Sequence, residues 1–167
     1  MAANNCLPLY LENKVVSGNL AINKSTPMEK EKPKPTHTSH IRVRYGETDR
    51  MGVLHHSVYP LYLEEARTDL MRRSEITYKE LEDSGIIFPV RNINITFLYP
   101  AYYDDIIAVK VTLEEIRGPR IIFSYDLTNE EGKQVATATT ELIFTDGKSF
   151  RPIRPPEKIV RMLTNIR

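Results

Sequence analysis

YGETDRMGVLHHSVYPLYLEEAR, Tyr45 to Arg67, contains the change of period on which the fold turns. Just ahead of it, Ile41, Val43 and Tyr45 alternate with Arg42 and Arg44, the two-residue period of a half-buried strand. Asp49 to Gly52 then interrupts the alternation with turn-forming residues. From Val58 the period lengthens. Tyr59, Tyr62, Leu63, Ala66 and Leu70 fall at i, i+3, i+4, i+7 and i+11, while Glu64, Glu65, Thr68, Asp69, Arg72 and Arg73 take the opposite face. That spacing predicts an amphipathic helix of about four turns with one apolar stripe. Ser57 is its expected N-cap, and Pro60 falls in the first turn, where a missing N–H costs little.

Thr77-Tyr78-Lys79-Glu80 reads as a capping box opening a short second helix that stops at Gly85. Beyond it the period returns to two. Ile93, Ile95, Phe97 and Tyr99 form one apolar row, Ile107, Val109, Val111 and Leu113 a second, Ile121, Phe123, Tyr125 and Leu127 a third. A last strand runs from about Gln134 to Phe144. Arg117-Gly118-Pro119 and Asn129 to Gly132 supply turns, and Asp146-Gly147 ends the run. Short connections predict an antiparallel meander. One helix face against one sheet face defines an α+β domain of two layers. Long strands with a single helix leave an edge uncovered, which predicts a homodimer with two-fold symmetry. A short helix after Pro155, with Ile159, Met162 and Leu163 on its apolar face, is expected in the tail.

The chain has 167 residues, the length of one domain with tails. A net charge of +1 offers no general attraction for nucleic acid or an anionic membrane. No apolar run reaches the roughly 20 residues needed for a membrane span. The one cysteine, Cys6, can form neither an internal disulfide nor a zinc site alone, so a reducing, cytoplasmic setting is expected. Residues 1–27 show no sustained periodicity and lack the features of a secretory or organelle-targeting signal. Met28 to His40 is charged and proline-containing, in the manner of a solvated linker. Two readings of residues 1–27 stand side by side: sequence upstream of a natural start at Met28, or a genuine extension. The expected organisation is a flexible segment over 1–38, a folded domain over 39–155 and a tail over 156–167.

The stretch from Tyr45 to Arg67 resembles the signature of the 4-hydroxybenzoyl-CoA thioesterase family, hotdog-fold acyl-CoA thioesterases, particularly the branch found with the Tol-Pal system. Tyr45, Glu47, Asp49, Gly52, Val53 and Tyr59 match it in type and spacing, and Glu64, Ala66 and Arg67 match the helix that follows. The resemblance spans roughly residues 39 to 155. Met51, where many members have a small residue, and His55, where many have an aromatic one, depart from the pattern. The resemblance implies a long helix wrapped by a curved antiparallel sheet, dimers joined edge to edge that often pair into tetramers, and active sites at the dimer interface.

It also implies roles. Asp49 would be general base on water or direct nucleophile on the thioester carbonyl. His56 would hold the developing oxyanion through its main-chain N–H, with its side chain available to Asp49 or the thioester. Gly52, whose tight turn lets Asp49 and the helix N-terminus face one carbonyl, and Val53 beside it would contact the substrate, and Tyr59 and Tyr62 would line the acyl pocket with residues near Phe88–Val90 or Tyr99. Arg117, Arg120 and Arg151, with Arg154 beside them, would meet the phosphates of CoA. Each residue has a plainer reading. Asp49 fits an Asx-turn, Glu64 a surface pair with Arg67 or Thr68, and the arginines a solvated surface. The adjacent histidines do not complete a metal site, and neither a metal nor a redox cofactor is expected. The rival functions are an acyl-carrier-protein thioesterase, a non-catalytic acyl-CoA-binding module and a dehydratase of the same fold.

Overall fold

The computed structural model describes residues 33–74 and 77–166. The expectations for residues 1–32, Cys6 included, lie outside that range. Five antiparallel strands form one sheet in the order β1-β4-β5-β6-β3, built from β1 (Thr36–Arg42), β3 (Val90–Phe97), β4 (Ile106–Arg117), β5 (Arg120–Thr128) and β6 (Gln134–Ile143). A separate ribbon joins β2 (Ile86–Ile87) to β7 (Thr145–Asp146). The helices are α1 (Tyr59–Arg72), α2 (Tyr78–Asp83) and α3 (Glu157–Thr164). Among the described residues no helix is long and apolar enough to cross a membrane.

The apolar stripe of α1 faces the sheet. Tyr59, Tyr62, Leu63, Ala66, Leu70 and Met71 are buried, and so is Arg67. The inward rows of β4 and β5 meet them in a single core with Leu142 and Phe144. The start of α1 differs from expectation. Val58 takes the N-cap position and no side chain caps the helix there, because the Ser57 hydroxyl is engaged 2.7 Å away with His55 Nδ1. The capping box of α2 forms as expected: Thr77 Oγ1 accepts from Glu80 N–H and the Glu80 carboxylate accepts from Thr77 N–H.

Three further features depart from the sequence reading. β1 starts at Thr36 rather than near Ile41, because its polar inward residue, Ser39, is satisfied by donating to Asp69 Oδ2 on α1 at 2.7 Å. The meander holds for β4, β5 and β6 alone. β3 pairs with β6 at the far edge, and the polypeptide then runs over the end of the sheet to reach β4. Backbone hydrogen bonds mark the crossing, with Leu98 N–H and Tyr99 N–H donating to Val135, Leu54 N–H to Ala101 and Val43 N–H to Asp105. Finally, β3 buries little of its apolar row. Near the C-terminus, α3 contributes Ile159 and Leu163 to the common core.

Candidate functional site

Asp49 sits in a hairpin narrow enough to be almost fully specified by backbone hydrogen bonds. Thr48 bridges Leu54, Asp49 N–H donates to Val53 C=O at 3.0 Å, and Gly52 N–H returns to Asp49 C=O at 2.9 Å. Gly52 has φ +79°, a left-handed conformation that costs other residues energy. The carboxylate of Asp49 accepts Met51 N–H on Oδ1 at 2.8 Å. This is an Asx-turn, and it occupies one oxygen only. Among the described residues Oδ2 has no partner.

The returning arm of the hairpin carries His55 and His56. His55 N–H donates to Glu47 C=O at 2.9 Å and Val58 N–H donates to His55 C=O at 3.0 Å. The His55 ring is held by Ser57 through Nδ1 and lies against the His56 ring, centroids 4.1 Å apart. The backbone N–H of His56 meets no acceptor among the described residues. It lies in the turn entering α1, near the positive end of the helix dipole.

Asp49, Val53, His56 and Tyr59 share one depression of about 280 Å³, completed by Met51 and Leu54 and by Phe97 to Pro100. Tyr59 and Phe97 make an edge-to-face wall, centroids 4.9 Å apart. Burial pushes the Tyr59 phenol above its ordinary range. Tyr62 is elsewhere: its buried hydroxyl turns behind the hairpin and donates to Glu47 Oε2 at 2.7 Å. Phe88 is also remote, packed between Tyr78 and Phe144. Tyr99 lines the depression. Phe97, Leu98 and Pro100 are not legible in the sequence as pocket residues, because β3 has the pattern of an ordinary half-buried strand. The available signal is Pro100, which stops the strand and directs the polypeptide across the hairpin.

Arg117 and Arg120 face a second depression of about 470 Å³, together with Gly118 and Arg154. Gly118, at φ +59°, makes the tight turn that separates the two arginines. Arg120 shares Glu141 with Arg91. Among the described residues neither Arg117 nor Arg154 has an acidic partner. Arg151 lies apart from this group, its carbonyl accepting Asp146 N–H beside β7. Within one protomer the two depressions are at opposite ends of the sheet. Phe97 pairs with Ala136 and Arg120 with Ile143, which is roughly 23 Å along β6 at about 3.3 Å per residue. Glu64 is exposed and has no ion pair with Arg67, which turns inward to Tyr125. Among the described residues no three His, Cys, Asp or Glu side chains gather as metal ligands would.

Comparison with known proteins defines the class. The sequence pattern of the thioesterase-like superfamily matches residues 43–163, and the chain belongs to that family, with the hotdog fold. Bacillus subtilis YneP is 34% identical over 68% of this chain and 83% of its own length. The acyl-CoA thioester hydrolase YbgC of Escherichia coli is 28% identical over 72% of this chain and 90% of its own. Among solved structures, a DHNA-CoA thioesterase from Staphylococcus aureus superposes with a TM-score of 0.69 at 34% identity, covering 71% of this chain and 80% of that one. A Thermus thermophilus protein superposes with a TM-score of 0.72 at 38% identity, covering 78% and 98%.

Proposed function

We propose that the protein is a cytoplasmic acyl-CoA thioesterase of the Tol-Pal-associated branch, working as a homodimer or a dimer of dimers. The observation that carries the reading is that one depression is lined both by Asp49, whose Oδ2 has no partner among the described residues, and by His56, whose N–H meets no acceptor among them. In the reaction a water oxygen adds to the thioester carbonyl carbon while Asp49 Oδ2 takes the water's proton. The negative charge that develops on the carbonyl oxygen is met by His56 N–H and the N-terminal dipole of α1. The C–S bond then breaks, the electron pair leaves on sulfur, and the proton held by Asp49 restores the thiol. Direct attack by Oδ2, giving a mixed anhydride opened by water, uses the same geometry. Tyr59, Phe97 and Tyr99 wall the acyl group, with Met51 at the rim.

The dimer rests on β3. Among the described residues its outer edge has no neighbour in the sheet, and Ile93, Phe97, Leu98, Tyr99 and Tyr102 remain exposed. A two-fold pairing of β3 with β3 of a second copy runs antiparallel. It brings the Arg117–Arg120–Arg154 end of one protomer to the same end of the continuous sheet as Asp49 of the other. Those cations suit the phosphates of CoA, with Arg154 closer to Arg117 and Arg120 than the expected Arg151. Free CoA as a competitor separates this substrate from an acyl-carrier protein.

The test is free-thiol release from a panel of short, aromatic and long-chain acyl-CoAs by the parent and by Asp49→Asn. A loss of about 10²- to 10⁴-fold in kcat, with the oligomer intact, is expected for a group that moves the proton. Equal turnover in both proteins would remove Asp49 from the chemistry, and no turnover on any member would overturn the acyl-CoA reading.

A further inference from the structure

The hairpin that carries Asp49 and His56 is tied to the helix behind it by one side-chain hydrogen bond among the described residues, Tyr62 Oη to Glu47 Oε2 at 2.7 Å. Glu47 is placed to hold both arms at once. Its side chain reaches α1 and also accepts Arg44 N–H at 2.8 Å, while its backbone carbonyl accepts His55 N–H at 2.9 Å. Asp49 follows it by two residues on one arm, and His56 follows the bonded His55 on the other. On α1 the division of labour follows helical spacing: Tyr59 faces the depression, and Tyr62, at i+3, sits behind the hairpin.

We infer that Glu47 and Tyr62 form a positioning pair that sets the distance between Asp49 and the His56 N–H, an inference that rests on the thioesterase reading for its kinetic consequence. Packing alone does not account for the hydroxyl. Tyr62 is 3% exposed, and a phenylalanine would bury the same ring without the cost of desolvating an O–H. Burial and then the Glu47 carboxylate hold the Tyr62 phenol far above the ordinary tyrosine range, so the donor keeps its proton at any working pH. The carboxylate in turn has two donors converging on Oε2, which fixes its rotamer. A turn held this way keeps two reacting groups in register without touching substrate.

The experiment pairs Tyr62→Phe with Glu47→Ala, Glu47→Gln and the double variant Glu47→Ala/Tyr62→Phe. Tyr62→Phe is expected to lower kcat at least about tenfold with KM nearly unchanged, since a small displacement of a catalytic group costs up to about 10²-fold in rate. Glu47→Ala, which also loses the Arg44 N–H bond, should be at least as slow, and the double variant should be no worse than Glu47→Ala, because the Tyr62 link is already broken there. Glu47→Gln keeps an acceptor oxygen for Tyr62 and should restore most of the rate. The second readout is amide exchange. In Tyr62→Phe the amides of Asp49, Gly52 and His55 should exchange faster while those of β5 keep their protection. Unchanged kcat and unchanged exchange in Tyr62→Phe would overturn the inference. So would additive losses in the double variant, or a Glu47→Gln protein as slow as Glu47→Ala. A parent inactive on every acyl-CoA would refute the proposed function alone, and the exchange pattern would then decide the positioning role by itself.

Discussion

β3 and β5 have nearly the same sequence pattern and opposite fates. In β5, Ile121, Phe123, Tyr125 and Leu127 are between 0% and 2% exposed, whereas in β3 Ile93 is 41% and Phe97 51% exposed. Alternation defines a face of a strand and leaves open what lies against it. β5 lies in the middle of the sheet, and its inward row joins one core with the buried face of α1 and the inward rows of its neighbours. β3 is the last strand, and α1 packs over β1 and β4 at the other side. A helix about 10 Å across cannot cover five strands spaced about 4.8 Å apart. The strip left over is the surface that a second copy would cover.

The contrast can be broken most severely at Phe123. Phe123→Ala should cost about 3–5 kcal/mol in urea unfolding, the usual range for emptying a closed core, while Phe97→Ala should cost well under about 1 kcal/mol in the isolated protomer. Similar losses at both positions would mean that β3 is covered within one protomer. A smaller effect is expected at Arg67, whose guanidinium lies inside the core against the Tyr125 hydroxyl, with Nε unpaired. Among the described residues it has no carboxylate partner. Arg67→Ala should therefore cost about 2 kcal/mol through lost packing, whereas Arg67→Met should stay within about 1 kcal/mol, since an apolar side chain of similar length fills the site without a desolvated charge. A large loss in Arg67→Met would show that its bonds to the Tyr125 and Tyr78 hydroxyls matter more than the volume.

The smallest effect on the fold is expected at the edge itself. Ile93→Lys should change protomer stability by no more than about 0.5 kcal/mol, as exposed substitutions usually do. If the proposed β3 dimer forms, the substitution should nonetheless shift the sedimenting species from dimer to protomer, because a charge would then be buried against the second copy. A dimer that persists at micromolar concentration would move the interface away from β3.

The parts of the fold legible in the sequence are those set by local periodicity and local bonds. The stripe from Tyr59 to Leu70, the Thr77–Glu80 box and the hairpins at Gly118 and Gly132 need only a few neighbouring residues each. The N-terminal part of β1 is not legible, because Thr36 to His40 is polar and its one inward side chain is satisfied by Asp69 from a helix thirty residues away in sequence. Ser57 has the right chemistry for a cap but a nearer partner in His55. Tyr62 shares its helical face with Tyr59, and nothing in spacing alone says that one ring meets the depression and the other the back of the hairpin.

By itself, then, the sequence determined an α+β domain with one long amphipathic helix, antiparallel strands, and an Asp-x-x-Gly turn directly before the helix, because each depends on interactions within a few residues. Which strand ends the sheet, which tyrosine backs the turn, and which arginines share a depression were decided only by the tertiary structure. These depend on the path taken after Pro100 and on how little of the sheet one helix can cover, and both involve contacts between residues far apart in sequence.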